Sequence, residues 1–500
     1  MSGGSLALSG PTVEGLDVAR CFSQQVSASL GEVLSRCYVY PGSCHLDGSA
    51  CHYPAGTVHT APHGTGHWKT MWTRDVGTFL RELVLWGYFD HARLTASTLI
   101  DLVALNGEGY HTYPEQLGPE PSSGEELDGT GPIVIAMISL WRRLPVEDPV
   151  RKKIGTFLHD RSSPLLYMVR ALQKAPMIPG TGEFGPGCWI EGRYCNVVQN
   201  NLCRLVLLAG ADYEDEAGDG RRAESYREAA RRLSENMLRY LVDPADGTWI
   251  WCVRPSDLKP DPEVLAAEVN RGAGLTNGVG CMQSEVTGLD PAAAGWPGDI
   301  VSQATFEKLY RTEPRKSYFD EVGVWTQFDP PFREGRNTSP SYGQGYALQY
   351  MLLADRQDMA GKALDWLARV TAQGEHPEWF VEQMNYPFDK GTYFLNLVNV
   401  SEPLKVARLI LGVDDTRPDE LHLVPRLFGA ITTVEATDWP IRTSCGTVRA
   451  NIRYEQVGEG YAVSVTVRDG GRLPALKARL SQGEGYVWKT ATDVQDLTLR

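Results

Sequence analysis

Apolar residues recur at intervals of three and four positions along much of the chain between residues 12 and 411. Two clear stripes run through residues 133–144 and 223–241, and similar stripes cover 74–87, 90–105, 196–210, 341–355 and 358–372. This spacing places the apolar side chains on one face of an α-helix. The pattern predicts about a dozen amphipathic helices.

Long polar loops rich in glycine, proline and tryptophan separate several of these predicted helices. They cover residues 106–130, 175–195, 244–300 and 313–341. Plain connectors in a compact domain are usually about 4–6 residues long. Segments of this length more often build a binding surface, so we expect helical hairpins to form the scaffold and the loops to form the site.

After residue 412 the hydrophobic period changes from helical to two. The alternation is carried by Val448, Ala450, Ile452 and Tyr454, and again by Tyr461, Val463, Val465 and Val467. An alternation of this kind is typical of β-strands with one buried face. We therefore expect two domains, a mainly α catalytic domain over residues 1–411 and a small antiparallel β-sandwich over residues 412–500.

The net charge and the hydropathy of the chain disfavour some classes of ligand. The 500 residues carry a formal net charge of -14, which disfavours nucleic acid or an anionic membrane as the main ligand. No stretch approaches the roughly 20 apolar residues of a membrane helix, and the N-terminal segment lacks the pattern of a signal peptide. The sequence predicts a soluble protein, cytoplasmic or secreted after removal of a signal peptide, and does not indicate its oligomeric state.

The cysteines and histidines give no pattern of a metal or cofactor site. The ten cysteines form no CxxC pair, and reduced thiols are favoured, with a disulfide within residues 37–51 as the alternative in an exported protein. His63 and His67 lie four apart, but Gly64 and Gly66 indicate a loop and no carboxylate completes a ligand set. We expect neither metal nor cofactor.

The segment HWKTMWTRD, which precedes an amphipathic helix, combines Trp68 and Trp72 with Arg74 and Asp75. A sugar ring is recognised by a flat apolar platform and by charged groups that bind its hydroxyls, and this segment offers both. The alternative is structural, with Asp75 capping the helix or pairing with Arg74. We predict substrate binding for all four residues.

A second acidic segment, GEELDGTGPIVIAM, leads into the helix expected from Ile133. Carboxylates are favoured at a helix start by the helix dipole, which accounts for most of this pattern. Asp128 is therefore predicted to have at most a supporting role in substrate binding.

The segment GPGCWIEGRYCN contains the candidate general acid, Glu191, between Trp189 and Arg193. Apolar neighbours desolvate a carboxyl group and raise its pKa, which suits it to donate a proton to a leaving oxygen. A salt bridge between Glu191 and Arg193 is an equal alternative on these residues alone. Trp189 and Arg193 are predicted to contact substrate.

The segment GEHPEWFVEQMNYPFDKG mixes carboxylates with aromatic residues and has no helical stripe. We predict Glu382 as general base and Gln383 as the residue that positions water, with Trp379 as a sugar platform. Aromatic residues elsewhere more often fill cores, which is the expectation for Trp249, Trp251, Trp296 and Trp325. Tyr342 is the exception, because the neighbouring glycines allow backbone to approach a ligand.

These segments resemble the glucoamylase family and its six-hairpin glycosidase relatives. WTRD at 72–75 resembles the substrate-binding segment of that family, and ELDGTGPIVIA at 126–136 its acidic helix entry. WIEGR at 189–193 is similar to its Trp-Glu general-acid motif, and VEQ at 381–383 to its Glu-Gln general-base pair. Each motif is short, but the four occur in the family's order over about residues 60–390.

The resemblance implies an (α/α)6 barrel with its site in the loop-rich mouth, and an exo-acting glycoside hydrolase that inverts the anomeric carbon. By this likeness Glu191 protonates the glycosidic oxygen and Glu382 activates water, while Arg74 and Asp75 hold hydroxyls of the terminal sugar. Ile190 is inserted in the acid motif, and LHLVPRLF at 421–428 looks more like the β domain of rhamnosidase-type and phosphorylase-type members. The sugar, the linkage and its anomeric configuration are not indicated.

Three other functions fit parts of the same pattern. A disaccharide phosphorylase would use phosphate in place of water and would need basic and hydroxyl residues facing the acid. An epimerase or lyase would need a base for a carbon-bound proton, for which Tyr110, His111 and Tyr113 are available. A non-catalytic carbohydrate-binding protein would keep only the aromatic cleft.

Overall fold

The computed structural model describes most of the chain, with gaps. The described residues are 10–16, 22–41, 53–60, 71–102, 104–105, 111–113, 116–117, 127–180, 193–262, 295–312, 318–319, 324–325, 337–338, 348–371, 384–385, 390–391, 397–458, 460–468, 470–482 and 485–499.

Helices dominate the chain up to residue 411, as the hydrophobic period predicts. They are α1 (Phe22–Arg36), α2 (Thr73–Leu85), α3 (Phe89–Leu102), α4 (Leu127–Arg143), α5 (Pro149–His159), α6 (Pro164–Lys174), α7 (Val197–Ala217), α8 (Gly220–Tyr240), α9 (Pro297–Thr312), α10 (Gln357–Thr371) and α11 (Leu397–Leu411), with a further helical stretch over residues 348–353. The stripes at 133–144 and 223–241 face the core: Ile133, Met137, Tyr226 and Leu233 are fully buried.

Four of these helices form an inner layer. Helix α2 packs between α4 and α11, and α7 packs on the other side of α4. The outer helices cover them, with α1 on α11, α3 on α2, α5 on α4, and α6 and α8 on α7. The inner helices are buried on nearly every side, α2 from Thr73 to Val84 and α4 from Leu127 to Ile138.

A buried ion pair ties α2 to α11 across 326 residues of sequence. The Nε and Nη2 atoms of Arg408 donate to the two carboxylate oxygens of Glu82, both at 3.2 Å. Trp86 Nε1 donates to the same carboxylate at 3.2 Å, and Arg81 Nη2 lies 3.7 Å from it. Because these side chains are almost completely excluded from water, the charges must compensate one another.

β-Strands are short within the helical part and long after it. They are β1 (Thr12–Glu14), β2 (Met71–Trp72), β3 (Ala104–Leu105), β4 (His111–Thr112), β5 (Gln116–Leu117), β6 (Cys195–Asn196), β7 (Cys252–Val253), β8 (Tyr318–Phe319), β9 (Val324–Trp325), β10 (Asn337–Thr338), β11 (Met384–Asn385), β12 (Lys390–Gly391), β13 (Val413–Asp414), β14 (Leu421–Leu423), β15 (Thr433–Thr443), β16 (Gly446–Val457), β17 (Gly460–Val467), β18 (Leu473–Gln482), β19 (Gly485–Val494) and β20 (Asp496–Leu499). The alternation predicted for residues 448–454 and 461–467 lies on β16 and β17.

Two sheets form the C-terminal part, in the orders β1-β15-β16-β17-β20 and β13-β14-β18-β19, and β17 packs against β18. The pairs are antiparallel except β14 with β18, which run parallel. Strand β1 comes from the opposite end of the chain and pairs Val13 with Ala436. The sequence pattern does not predict that pairing, because a three-residue strand carries too little alternation.

The sheets pack against the carboxyl ends of the inner helices. Arg143, the last residue of α4, donates to both oxygens of Asp415 at 2.6 and 2.8 Å, and Asp415 also accepts from the backbone of Arg442 at 2.7 Å. The rings of Trp86, just after α2, and Trp439 meet edge to face at 5.0 Å. Because the sheets cover the carboxyl ends of the inner helices, we expect a functional site at their amino ends.

The cysteines within the described ranges are free thiols. Cys37, Cys195, Cys203 and Cys252 are buried and Cys445 is exposed. Burial raises the pKa of both Cys195 and Cys252 to about 12. None of the helices in the same ranges is long and apolar enough to cross a membrane.

Candidate active site

The amino ends of α2 and α4 meet in close contact. A Cβ placed on Gly129 would lie 2.3 Å from Thr73 Oγ1 and 3.1 Å from the backbone nitrogen of Arg74. Only a glycine allows the first turn of α4 to lie this close to that of α2. The helix start predicted at Ile133 is wrong by six residues, because Gly129, Gly131 and Pro132 look like a loop but serve this close packing.

The amino ends of α7 and α11 lie at the same end of the inner layer. Gly180, which bridges to Tyr194 just before α7, lies against Gln199 on α7 and Leu127 on α4. The backbone nitrogen of Leu397, the first residue of α11, donates to Thr60 O at 3.1 Å, and Thr60 Oγ1 accepts from the backbone of Trp72 at 3.4 Å. Four helix amino ends thus converge on one region.

We expect Gly129→Ala to destabilise the protein by about 1–3 kcal/mol, since the added methyl group has no room between the two helices. Gly31→Ala is the matched control, because a methyl group added to Gly31 on α1 would have no atom within 4 Å. The control should be neutral or stabilising by up to about 1 kcal/mol. Urea unfolding of both variants measures this, and equal stability changes would contradict the close packing of α2 on α4.

A buried group of one arginine and two carboxylates lies where α2 and α4 begin. Arg74 Nε is 3.8 Å from Asp75 Oδ1, and Arg74 Nη1 is 3.7 Å from Asp128 Oδ2. The side chains are 8%, 7% and 1% exposed. Neither oxygen of Asp128 has a hydrogen-bond partner among the described residues. The helix amino ends favour both anions, and Asp128 retains hydrogen-bonding capacity for a ligand hydroxyl.

Trp72 lies at the N-cap of α2, immediately before this group. It is half-buried, and its side chain makes no capping hydrogen bond. Asp75 lies in the first turn of the helix and pairs with Arg74, which is one of the structural roles that the sequence left open. Trp72, Arg74 and Asp75 are neighbours in the sequence, and the contact that the fold adds is that of Asp128 on α4 with Arg74.

The start of α7 is held by a network of buried amides. The Asn196 side chain caps the helix by accepting from Gln199 N at 2.8 Å, and its Nδ2 donates to Gln199 Oε1 at 2.6 Å. Asn200 bonds both backbone groups of Ile178, at 2.9 and 3.1 Å. All three amide residues are fully buried. The first turn of α7 is thus attached to Ile178 by side-chain hydrogen bonds.

Several predicted site residues lie outside the described residues: Trp68, Trp189, Glu191, Tyr342, Trp379, Glu382 and Gln383. Glu191 lies two positions before Arg193, which is exposed and donates to Pro179 O at 2.9 Å. Glu382 lies two positions before β11, which pairs with β10 and β12. The assignments of acid, base and water-positioning residue stay predictions.

Other aromatic residues lie in the core. Trp249, Trp251 and Trp296 are 5%, 5% and 8% exposed, as expected for core residues. Tyr113 is fully buried, its hydroxyl donates to Leu99 O at 2.8 Å, and burial raises its pKa well above the ordinary value. Tyr113 is therefore a structural residue, and it does not provide the base that an epimerase or lyase requires.

A buried arginine on α7 was not identified from the sequence. Arg204 lies 3.8 Å from the ring centroid of Trp296, and its Nε donates to Asn201 at 3.1 Å. Burial lowers the pKa of Arg204 to about 10, against the opposing effect of Asp299. Burial likewise raises the pKa of Asp299 to about 6, although Arg204 lowers it. No local motif marks this group, because its members are about 95 residues apart.

Asp299 should make stability depend on pH. Its pKa in the folded chain lies above the unfolded value of 3.8, so its contribution is present below pH 3.8 and is lost as the pH rises through about 6. We expect the melting temperature of the wild type, relative to Asp299→Asn, to fall between about pH 3.5 and about pH 7. Parallel curves for the two proteins would show that Asp299 titrates normally.

One set of side chains within the described ranges has the composition of a metal site. Ligand atoms of His159, Glu214 and Asp219 lie within 4.8 Å of one another. Arg222 Nη1 lies 3.6 Å from Glu214 and its Nε 3.6 Å from Asp219. The guanidinium already supplies the positive charge that a metal would bring, and Glu214 lies near the carboxyl end of α7, away from the candidate site.

Comparison with solved structures identifies the architecture. The α-L-rhamnosidase of Dictyoglumus thermophilum aligns over 98% of this chain and 50% of its own, with a TM-score of 0.58 and 10% identity. The glucoamylase of Saccharomycopsis fibuligera aligns over 80% of this chain and 97% of its own, with a TM-score of 0.56 and 14% identity. The chain has the six-hairpin glycosidase fold. A protein from the human microbiome assigned as a kojibiose phosphorylase shares this fold over 98% of the chain and 60% of its own, with a TM-score of 0.52 and 10% identity.

The six-hairpin fold is recognised here by structure alone. No protein-family model and no curated protein matches the sequence. The chain spans half the length of the rhamnosidase. The likeness to the rhamnosidase includes the C-terminal β sheets, since it extends over nearly the whole chain, and this confirms the predicted combination of an (α/α)6 barrel with an antiparallel β domain.

Proposed function

We propose that the protein is an inverting, exo-acting glycoside hydrolase whose site lies at the converging amino ends of α2, α4, α7 and α11. The observation that carries the proposal is the buried group of Arg74, Asp75 and Asp128 at this end. In the sequence, Glu191 precedes α7 and Glu382 precedes α11, the helices whose amino ends lie at this end of the inner layer. The structural neighbours named as a rhamnosidase and a glucoamylase support a carbohydrate as substrate.

The chemistry follows from the residue types. Glu191 donates a proton to the glycosidic oxygen, and Glu382 removes a proton from a water molecule that attacks the opposite face of the sugar. Gln383 positions that water. Arg74 donates to hydroxyls of the terminal sugar, and Asp75 and Asp128 accept from them. The sugar rings are contacted, or the entrance of the site is lined, by Trp68, Trp72, Trp189, Trp379, Tyr342 and Arg193.

The stereochemical claim has a direct test. Cleavage of an aryl glycoside should release first the anomer opposite to that of the substrate, as followed by NMR. A crystal structure should place the carboxyl groups of Glu191 and Glu382 about 6.5–9.5 Å apart, since the attacking water occupies the gap. Retention of configuration, or a separation of about 5–5.5 Å, would exclude the inverting mechanism.

A phosphorylase is the second candidate, favoured by the likeness to the assigned kojibiose phosphorylase over 98% of the chain. In that reaction inorganic phosphate takes the place of the activated water, and the product is a sugar phosphate. Product formation from a disaccharide with and without phosphate distinguishes the two. A requirement for phosphate would replace the hydrolase proposal.

A further inference from the structure

The residues on either side of segment 181–192 are hydrogen-bonded to one another. This segment, which contains the candidate general acid, joins Gly180 to Arg193 in the sequence. Gly180 and Tyr194 exchange both backbone hydrogen bonds, at 3.1 Å from the nitrogen of Gly180 and at 3.3 Å from that of Tyr194. Arg193 Nη2 also donates to Pro179 O at 2.9 Å. The residues that precede the segment and those that follow it therefore form one support.

A buried asparagine on α7 fixes the first part of this support. Asn200 Oδ1 accepts from the backbone nitrogen of Ile178 at 2.9 Å, and Asn200 Nδ2 donates to Ile178 O at 3.1 Å. The same Nδ2 donates to Asn196 O at 2.9 Å. Because Asn200 is fully buried, loss of its side chain would leave backbone groups of Ile178 without these partners. One side chain thus holds the chain two positions before Gly180.

The second part of the support is held by the chain around β7. Strand β6 pairs with β7, and the backbone nitrogen of Val197 donates to Trp251 O at 2.9 Å. The hydroxyl of Tyr194 donates to Asp261 Oδ2 at 3.4 Å. Residues 193–197 are therefore bonded on one side to residues 179–180 and on the other to the chain around β7.

The length of the chain limits how far Glu191 can lie from this support. Glu191 is two positions before Arg193, and two residues of extended chain span at most about 7 Å. A general acid must come within about 2.6–3.2 Å of the atom to which it gives its proton. A displacement of about 1 Å caused by a distant substitution can cost about 100-fold in rate. A small shift of the support is therefore enough to impair the acid.

We propose that Asn200 is a positioning residue for the candidate general acid. It fixes both backbone groups of Ile178, so that residues 179–180 are in place to bind Arg193 and Tyr194, and it thereby sets where Glu191 begins its reach. An amide suits this role because Ile178 presents one donor and one acceptor. The inference rests on the proposed function, since it requires Glu191 to be the proton donor.

Initial rates of Asn200→Ala on a disaccharide and on a dinitrophenyl glycoside test this role. A displaced acid slows departure of a sugar alkoxide, whereas a dinitrophenolate leaves without receiving a proton. We expect kcat on the disaccharide to fall about 10–100-fold with KM nearly unchanged, and kcat on the dinitrophenyl glycoside to fall by less than about two-fold. Glu191→Gln is the reference and should show the same contrast between the two substrates, with a larger loss.

Asn451→Ala is the matched control. Asn451 Oδ1 accepts from the backbone nitrogen of Asp438 at 3.0 Å within the C-terminal sheet, so this variant also loses an amide that binds the backbone, and both rates should be unchanged. Thermal unfolding establishes which variants are folded at the assay temperature. If Asn200→Ala is not, Asn200→Asp replaces it. That variant keeps the acceptor for the nitrogen of Ile178 but loses both donated bonds, and it should show the same contrast.

The outcomes separate the role of Asn200 from the proposed function. If Glu191→Gln shows the contrast, and a folded Asn200 variant has normal rates or equal losses on the two substrates, Asn200 is a structural residue and the positioning role is overturned alone. No contrast in Glu191→Gln, or no cleavage of any glycoside by the wild type, overturns the proposed function and the role of Asn200 with it.

Discussion

Glutamine at Glu191 or at Glu382 is expected to lower kcat on a cleaved glycoside by about 10²–10⁴-fold, since each variant loses a proton-transfer group. An aryl glycoside with a good leaving group needs less help from an acid. The loss in Glu191→Gln should therefore be smaller on a nitrophenyl glycoside than on a disaccharide, whereas the loss in Glu382→Gln should be similar on both. Initial rates on the two substrate types measure this difference.

Glu224→Gln is the matched control, because Glu224 is an exposed carboxylate on α8. It should leave kcat unchanged. Thermal unfolding of all three variants establishes that the chain remains folded. Near-normal rates in Glu191→Gln and Glu382→Gln would show that the catalytic pair is wrong, and with it the assignment of the two segments entering α7 and α11.

The second large effect is expected at the buried pair of Glu82 and Arg408. Arg408→Met should reduce the free energy of unfolding by about 3–5 kcal/mol, because the buried Glu82 carboxylate loses both hydrogen bonds from the Arg408 guanidinium and keeps only the more distant Arg81, at 3.7 Å. Urea denaturation of the full chain measures the change.

The double variant Glu82→Gln/Arg408→Met separates the charge from the packing. Glutamine keeps an acceptor for the indole N–H of Trp86 and removes the charge that Arg408 compensates, so part of the lost stability should return; the recovery is limited because Arg81, 3.7 Å from the Glu82 carboxylate, loses that charge as well. Arg231→Met on α8 is the control for an arginine at the surface, where its partners Glu228 and Glu235 are also exposed, and it should cause no measurable change. A double variant as unstable as Arg408→Met would show that the arginine acts through packing alone.

The sequence predicts the helices and the late strands because both have a period that spans many residues. The stripe at 133–144 and the alternation at 448–454 each place several side chains on one face. The start of α4 could not be predicted, since Gly129 and Gly131 lower the local helix propensity. Glycine is needed at both positions because a side chain would collide with Thr73 on α2 or with Leu202 on α7. A local sequence pattern contains no information on such contacts.

The residues of the candidate site also differ in how far the sequence alone can indicate them. Arg74 and Asp75 can be found from the sequence because a charged pair beside Trp72 stands out locally. Asp128 receives only a supporting role from the sequence, since an acidic residue at a helix start has an ordinary explanation in the helix dipole, and its burial beside Arg74 is a tertiary contact that the local sequence does not contain. The burial of Arg204, and of the ion pair between Glu82 and Arg408, results from contacts between segments that are distant in the sequence. Their residue types alone indicate surface positions.

Strand β1 is translated long before β15, the strand with which it pairs. Val13 pairs with Ala436, so more than four hundred residues must be translated between them. At about 5–20 residues per second this takes roughly 20–85 seconds. The inner helices can assemble during that interval, whereas β1 waits with its backbone groups unpaired, available to a chaperone or to a neighbouring nascent chain. The five-stranded sheet therefore gains β1 as its edge strand only after the helical part of the chain has been translated.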